Sequence, residues 1–242
     1  MPSKKITKLE IVLIIVTILL TISTITLSVL LYYLNKPKNS YLAYYEQKCN
    51  MFKLENSNLA QNQIVFIGDS ITDGCALDNY YSSLPLATYN RGIGGDNTEG
   101  VLKRLKVSVF DINPSKIVLM IGINDINGNR TKEKVLENYE KILNTISTTL
   151  PNTKLFCLSI LPINKTLETY SAINVQKSTT TILETNPEIE KLTQKYGATF
   201  VNLYPLFADS NNHLIENLSP DGIHLNNNGY KLYSSHLLPL LI

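Results

Sequence analysis

Cysteine and histidine are both scarce, with three of each in 242 residues. Cys49, Cys75 and Cys157 are odd in number and lack metal-ligand spacing, which argues against a metal centre or a disulfide framework. Cys157 lies in an apolar run and reads as a core residue; whether Cys49 and Cys75 pair is left open. The roughly 200 residues beyond the N-terminal segment suffice for one cored domain without covalent staples. Clustered Lys and Arg are also missing, and beyond residue 34 acidic and basic side chains balance. Nucleic-acid binding exchanges counterions through a basic face, so that class of partner is set aside. There is no P-loop, no dinucleotide fingerprint, no internal repeat and no Gly-x-Ser-x-Gly elbow. Three histidines leave a short list for any catalytic base.

Charge is absent from Ile11 to Leu34, a run dominated by Ile, Leu, Val and Thr. A helix needs roughly 20 apolar residues to cross the hydrocarbon core, and this one has no polar face. Lys4, Lys5 and Lys8 precede it, Lys36 and Lys38 follow it, and Tyr32 and Tyr33 stand where interfacial aromatics belong. The run is longer than a signal-peptide core, and no Ala-x-Ala follows it. The expected division is a cytoplasmic N-terminus (1–10), a transmembrane anchor (11–34), a tyrosine-rich stalk packing onto the domain (35–63) and a globular domain (64–242) outside the cytoplasm.

Within that domain, strand-length apolar runs alternate with helical patterns. The runs are IVFIG (64–68), LATYN (86–90), KIVLMIG (116–122), KLFCLSIL (154–161) and ATFVNL (198–203). The third is apolar throughout, as in a parallel strand covered on both faces. Between Thr131 and Pro151, Val135, Leu136, Tyr139, Ile142, Leu143 and Ile146 recur at helical spacing. Asn186 followed by Pro187 predicts a helix start, closed by Gly197. Alternation of this kind implies an α/β fold with a parallel sheet between two helical layers.

Ligands of such sheets bind at the carboxyl ends of the strands. The first run ends in Gly68-Asp69-Ser70, placing a hydroxyl and its backbone N–H at a helix start, where negative charge is favoured. The second runs into Asn90-Arg91-Gly92-Ile93-Gly94-Gly95-Asp96-Asn97-Thr98-Glu99, whose glycines let backbone approach a ligand; Asp96 and Glu99 resemble a capping box. The third ends in Gly122-Ile123-Asn124-Asp125, and an amide there can donate to an oxyanion. Near the C-terminus, Asp221-Gly222-Ile223-His224 supplies a base and a carboxylate to orient it from one loop. His236 falls among Leu232, Tyr233 and Leu237, where packing is expected; His213 sits in a polar loop. Each element alone is ordinary turn and cap chemistry, but four in order at successive strand ends are not.

The blocks FIGDSIT, NRGIGGDNT, GIND and DGIHLNNNGY resemble those of the SGNH (GDSL) hydrolases, particularly the platelet-activating-factor acetylhydrolase-like branch with its bacterial acylhydrolases. The likeness runs from about Ile64 to the C-terminus. It implies a flavodoxin-like three-layer α/β/α sandwich with a five-stranded parallel sheet. It also implies Ser70 as nucleophile, His224 as general base and Asp221 as the residue orienting it. The oxyanion hole would be formed by the N–H groups of Ser70 and Gly95 and the Asn124 side chain, and no metal or cofactor is implied.

The expected protein is a single-pass membrane esterase, cleaving short-chain acyl esters through an acyl-serine intermediate. Its substrate is expected to be an acetylated envelope glycan or, second, a lysophospholipid, with the loop at 163–185 shaping specificity. The rival readings are an O-acyltransferase on envelope polysaccharide, disfavoured by the single span, and a non-catalytic carbohydrate-binding module, disfavoured by the intact Ser, Gly, Asn, Asp and His set. Two-carboxylate glycosidase chemistry from Asp69, Asp73, Asp96 and Asp125 ranks last.

Overall fold

The structure is a computed structural model that describes residues 7–35, 40–164 and 172–242. Lys4, Lys5, Lys36 and Lys38 lie outside the described residues, as do the side chains of Tyr32 and Tyr33 and the middle of the 163–185 segment. Backbone contacts divide the chain into Met1–Ala43 and Tyr44–Ile242.

The first unit is dominated by α1 (Lys8–Asn35). Its span Lys8–Leu31 has a mean hydropathy of 2.6 and buries nothing. At ~1.5 Å per residue it is roughly 36 Å long, against about 30 Å of hydrocarbon in a bilayer. Its hydroxyls bond back to carbonyls one turn earlier, Thr17 to Leu13 and Ser28 to Thr24, each at 2.8 Å. Polar atoms on an otherwise apolar surface are thereby satisfied within the helix. Among the described residues, one helix is therefore long and apolar enough to cross a membrane.

The second unit is built on five parallel strands: β1 (Ile64–Gly68), β2 (Thr88–Gly92), β3 (Lys116–Met120), β4 (Lys154–Leu158) and β5 (Thr199–Val201). Their order is β2-β1-β3-β4-β5, the flavodoxin-like arrangement. Residues alternate across each strand, and the two resulting sets feed two cores. Val65, Ile67, Ile117, Leu119, Leu155 and Cys157 face one helical layer: α5 (Thr98–Leu105), α7 (Lys132–Thr149) and α8 (Val175–Lys195). Ile64, Phe66, Val118, Met120, Phe156 and Leu158 face the other: α3 (Ser70–Asp73), α4 (Leu77–Tyr81), α9 (Tyr204–Phe207) and α10 (Asn227–Leu241). With both faces covered, β1 and β3 are buried along their whole length. The expected three layers are present.

The stripe expected between Thr131 and Pro151 is α7, capped by the Thr131 hydroxyl accepting from Lys134 N–H. Two details differ from expectation. The second strand lies two residues later than its apolar run, because Gly68 pairs with Gly92 and the ladder extends into the glycine-rich block. The helix expected to start at Pro187 runs straight through it from Val175. Asn186, instead of capping, turns its side chain to the end of β4, where it accepts from Ile160 N–H and donates to Ile160 O, both at 2.9 Å. All three cysteines are free, Cys75 and Cys157 being buried.

α2 (Ser40–Asn56) belongs to the second unit from Tyr44 onward. Phe52 is fully buried, and Arg91 lies over its ring at 4.6 Å while bonding Glu55 at 2.8 Å and Asn56 at 3.1 Å. Asn56 donates to Val107 O.

Candidate active site

Ser70 opens α3 directly after β1. The turn is tight: a Cβ on Gly68 would lie 2.3 Å from Met120 O and 2.4 Å from the Thr72 hydroxyl, so only glycine fits. Asp69 caps α3 by accepting from Ile71 N–H at 3.0 Å. It is almost wholly buried, and burial pushes its carboxyl up to about 7.

His224 comes from the loop before α10. Its Nε2 lies 3.0 Å from the Ser70 hydroxyl and its Nδ1 2.6 Å from Asp221 Oδ2. The other oxygen of Asp221 accepts from Ile223 N–H at 3.0 Å and His224 N–H at 2.8 Å. The Ser219 hydroxyl accepts from Asp221 and Gly222 N–H, and Gly222 takes a φ of +84°. The loop is thus shaped by its own side chains. Burial pushes the Asp221 carboxyl up, but the hydrogen bonds from His224 and Ile223 together outweigh it and hold the group below its ordinary value. The carboxylate is ionised wherever the imidazole has to be oriented. Of the other histidines, His213 is engaged through its backbone with Asp209. His236 is exposed on α10, with Nδ1 at 3.1 Å from Leu232 O, rather than packed as expected.

Gly95 and Asn124 come from the ends of β2 and β3. Gly95 has a φ of +77°, in the left-handed region that glycine enters without strain. Asn124 heads α6 (Ile123–Asn127) with Ile123 and donates one amide hydrogen to Asp96 O at 2.8 Å, tying the two strand-end loops together. A second tie is buried: Asp125 accepts from Thr98 N–H at 2.9 Å and the Thr98 hydroxyl at 2.7 Å, and Asn138 donates to that hydroxyl at 3.0 Å.

The expected capping box is absent. Asn97 caps α5, accepting from Glu99 and Gly100 N–H. Asp96 is instead fully buried, 2.7 Å from Arg104 Nε, and Glu99 pairs with Lys103 and Arg130 on the surface. Arg104 also donates to Arg91 O, the Ser108 hydroxyl and Gly68 O at 2.7–2.9 Å. It is the residue that sequence reading passed over. Its only signal was a lone arginine on the apolar side of an amphipathic helix, eight residues from an aspartate. The four carboxylates weighed for glycosidase chemistry are each engaged: Asp69 in the cap, Asp73 with Lys48, Asp96 with Arg104 and Asp125 with Thr98.

The parallel sheet between two helical layers, with a hydroxyl, an imidazole and a carboxylate gathered at its strand ends, defines a class, that of the SGNH (GDSL) family. The chain belongs to the GDSL-like lipase/acylhydrolase family, whose profile matches residues 66–232. Over 102 residues it is 37% identical to platelet-activating factor acetylhydrolase IB subunit alpha2 of Rattus norvegicus, a stretch covering 41% of this chain and 44% of that one. The match therefore spans less than half the length of that relative. A Streptococcus pneumoniae protein provisionally assigned as a platelet activating factor superposes with a TM-score of 0.77 at 29% identity, covering 90% of this chain and 99% of that one. A GDSL-like lipase from Bacteroides thetaiotaomicron superposes at 0.71 with 22% identity, covering 80% and 96%; at that identity the likeness is one of fold.

Proposed function

We propose that this chain is a membrane-anchored serine esterase that cleaves short acyl esters outside the cytoplasm. One observation carries the reading: Asp221, His224 and Ser70 stand in relay at 2.6 and 3.0 Å. In the first step the Ser70 hydroxyl attacks the ester carbonyl, and its proton passes to His224 Nε2. His224 then protonates the departing alkoxide. Water attacks the acyl-serine with His224 again as base, releasing the acid and restoring Ser70. The oxyanion would accept from the N–H groups of Ser70 and Gly95 and from the second amide hydrogen of Asn124.

Support for a short acyl group comes from the similarity to a relative named as an acetylhydrolase. An apolar cleft lies beside Asp69 and Ile71, the chain neighbours of Ser70, and is lined further by Met120, Ile123, Ile160, Ile163 and Ile223. The apolar helix α1 supports the anchor, and the lysines before it support a cytoplasmic N-terminus. An acetylated envelope glycan is the substrate class that suits such a location.

The test is hydrolysis of aryl esters of increasing chain length, then of acetylated glycans, by wild type and Ser70→Ala. Turnover is expected to be highest for acetyl and to vanish in the variant, with fluorophosphonate labelling lost as well. Undiminished hydrolysis by Ser70→Ala would refute the assignment.

A further inference from the structure

We propose that Asp73, held by Tyr44 and Lys48 of α2, is a positioning residue for the oxyanion donors. A helix preceding the family match thereby sets the geometry of the site. The inference rests on the esterase reading above and extends it to residues that reading does not use.

Asp73 closes α3, three residues after Ser70. Its Oδ1 accepts from Lys48 Nζ at 2.7 Å, and its Oδ2 accepts from Gly94 N–H at 2.9 Å and from the Tyr44 hydroxyl. One carboxylate thus joins α3, α2 and the turn after β2. Gly94 precedes Gly95, and the turn passes between Ser70 and Tyr44 at ordinary contact distance. A Cβ on Gly94 would lie 4.0 Å from Ser70 Cβ and 3.5 Å from Tyr44 Cε1.

Two successive glycines have no side chains to restrain them, and glycine is the residue with most backbone freedom to lose. Oxyanion stabilisation, however, depends on donors aimed before the reaction begins. Bonding the Gly94 N–H to a fixed carboxylate restrains the backbone that carries the Gly95 N–H. Asp73 is itself fixed by its two partners, the Lys48 and Asp73 side chains being only 17% exposed. Burial, with the adjacent Asp73 acceptor and its charge, pushes the Tyr44 phenol up to about 12, so it remains a donor at any working pH. α2 is held separately by Phe52, by Arg91 and by the Tyr45 hydroxyl on Gly100 O at 2.8 Å. Changes at Tyr44 and Lys48 therefore leave the helix in place.

The experiment uses the full-length protein in detergent, with kcat and KM for an acetyl aryl ester, the rate of fluorophosphonate labelling at Ser70, and thermal melting. Asp73→Ala is expected to lower kcat about 10–100-fold, somewhat less than the loss of a direct oxyanion donor. KM should stay within about twofold, since the restraint acts on the transition state. Labelling should slow in parallel while melting changes little. Asp73→Asn retains an oxygen for the Gly94 N–H and should recover most of kcat. The double variant Tyr44→Phe/Lys48→Met should lose several-fold in kcat. A folded Asp73→Ala with undiminished kcat overturns the proposal, as does an Asp73→Asn no better than Asp73→Ala. If Asp73→Ala does not fold, the double variant decides, and wild-type kcat there overturns it. A wild type with neither turnover nor labelling removes the esterase reading and this inference with it; an active wild type with unaffected variants removes only the inference.

Discussion

Among individual residues, Asp69 has the most unusual environment. It caps the helix that starts with Ser70, yet it lies in the apolar wall of the cleft with its carboxyl pushed up to about 7 by burial. In an unfolded chain the same group titrates near 3.9. Because the folded value is the higher one, its contribution to stability is fully present below about pH 4 and is lost as pH rises through about 7. Asparagine keeps the oxygen that accepts from Ile71 N–H but carries no charge. The melting temperature of Asp69→Asn minus that of wild type is therefore expected to grow between pH 4 and pH 8. A gap independent of pH would show that Asp69 is ionised throughout.

At the level of elements, the site is held by what lies between them. Arg104 projects from α5 into the interior, where its guanidinium joins the end of β1, the end of β2 and the buried carboxylate of Asp96. A buried pair of this kind is costly to break because one charge is left without its partner. Arg104→Ala is expected to destabilise by about 3–5 kcal/mol in chemical denaturation. Arg104→Lys should recover little, since an ammonium cannot span four acceptors in a planar fork. A loss no larger than that of an exposed arginine would mean that the strand ends are held by their ladders alone. The Thr98–Asp125–Asn138 cluster joins α5, α6 and α7 in the same way.

At the scale of the whole molecule, the separate roles of α1 and α2 lead to a truncation series. Full-length protein is expected in the membrane fraction, resistant to carbonate extraction. A chain beginning at Ser40 should leave that fraction and keep its turnover. One beginning at Ile64 lacks Tyr44, Lys48 and Phe52 and leaves Arg91 with neither Glu55 nor Asn56; it should lose both turnover and several degrees of melting temperature. Full turnover from the shortest chain would show that α2 contributes nothing to the site.

Much of this protein was legible in order along the chain. The five apolar runs, the α7 stripe and the four polar blocks are local patterns, and local patterns report secondary structure and which turns carry polar groups. The turns that carry Ser70, Asp221 and His224 were readable because the chemistry of each is written in adjacent residues. What the sequence alone could not settle was how partners far apart in the chain divide their hydrogen bonds. Asp96 and Glu99 have capping spacing, but Arg104 takes the first for the interior and Asn97 does the capping. Asn186 precedes a proline, but the end of β4 claims its amide. Asp73 reads only as one of four carboxylates near the strand ends until α2 delivers Lys48 and Tyr44 to it. A buried polar group goes to whichever partner removes the most desolvation cost, and that partner exists only once the sheet has brought distant segments together.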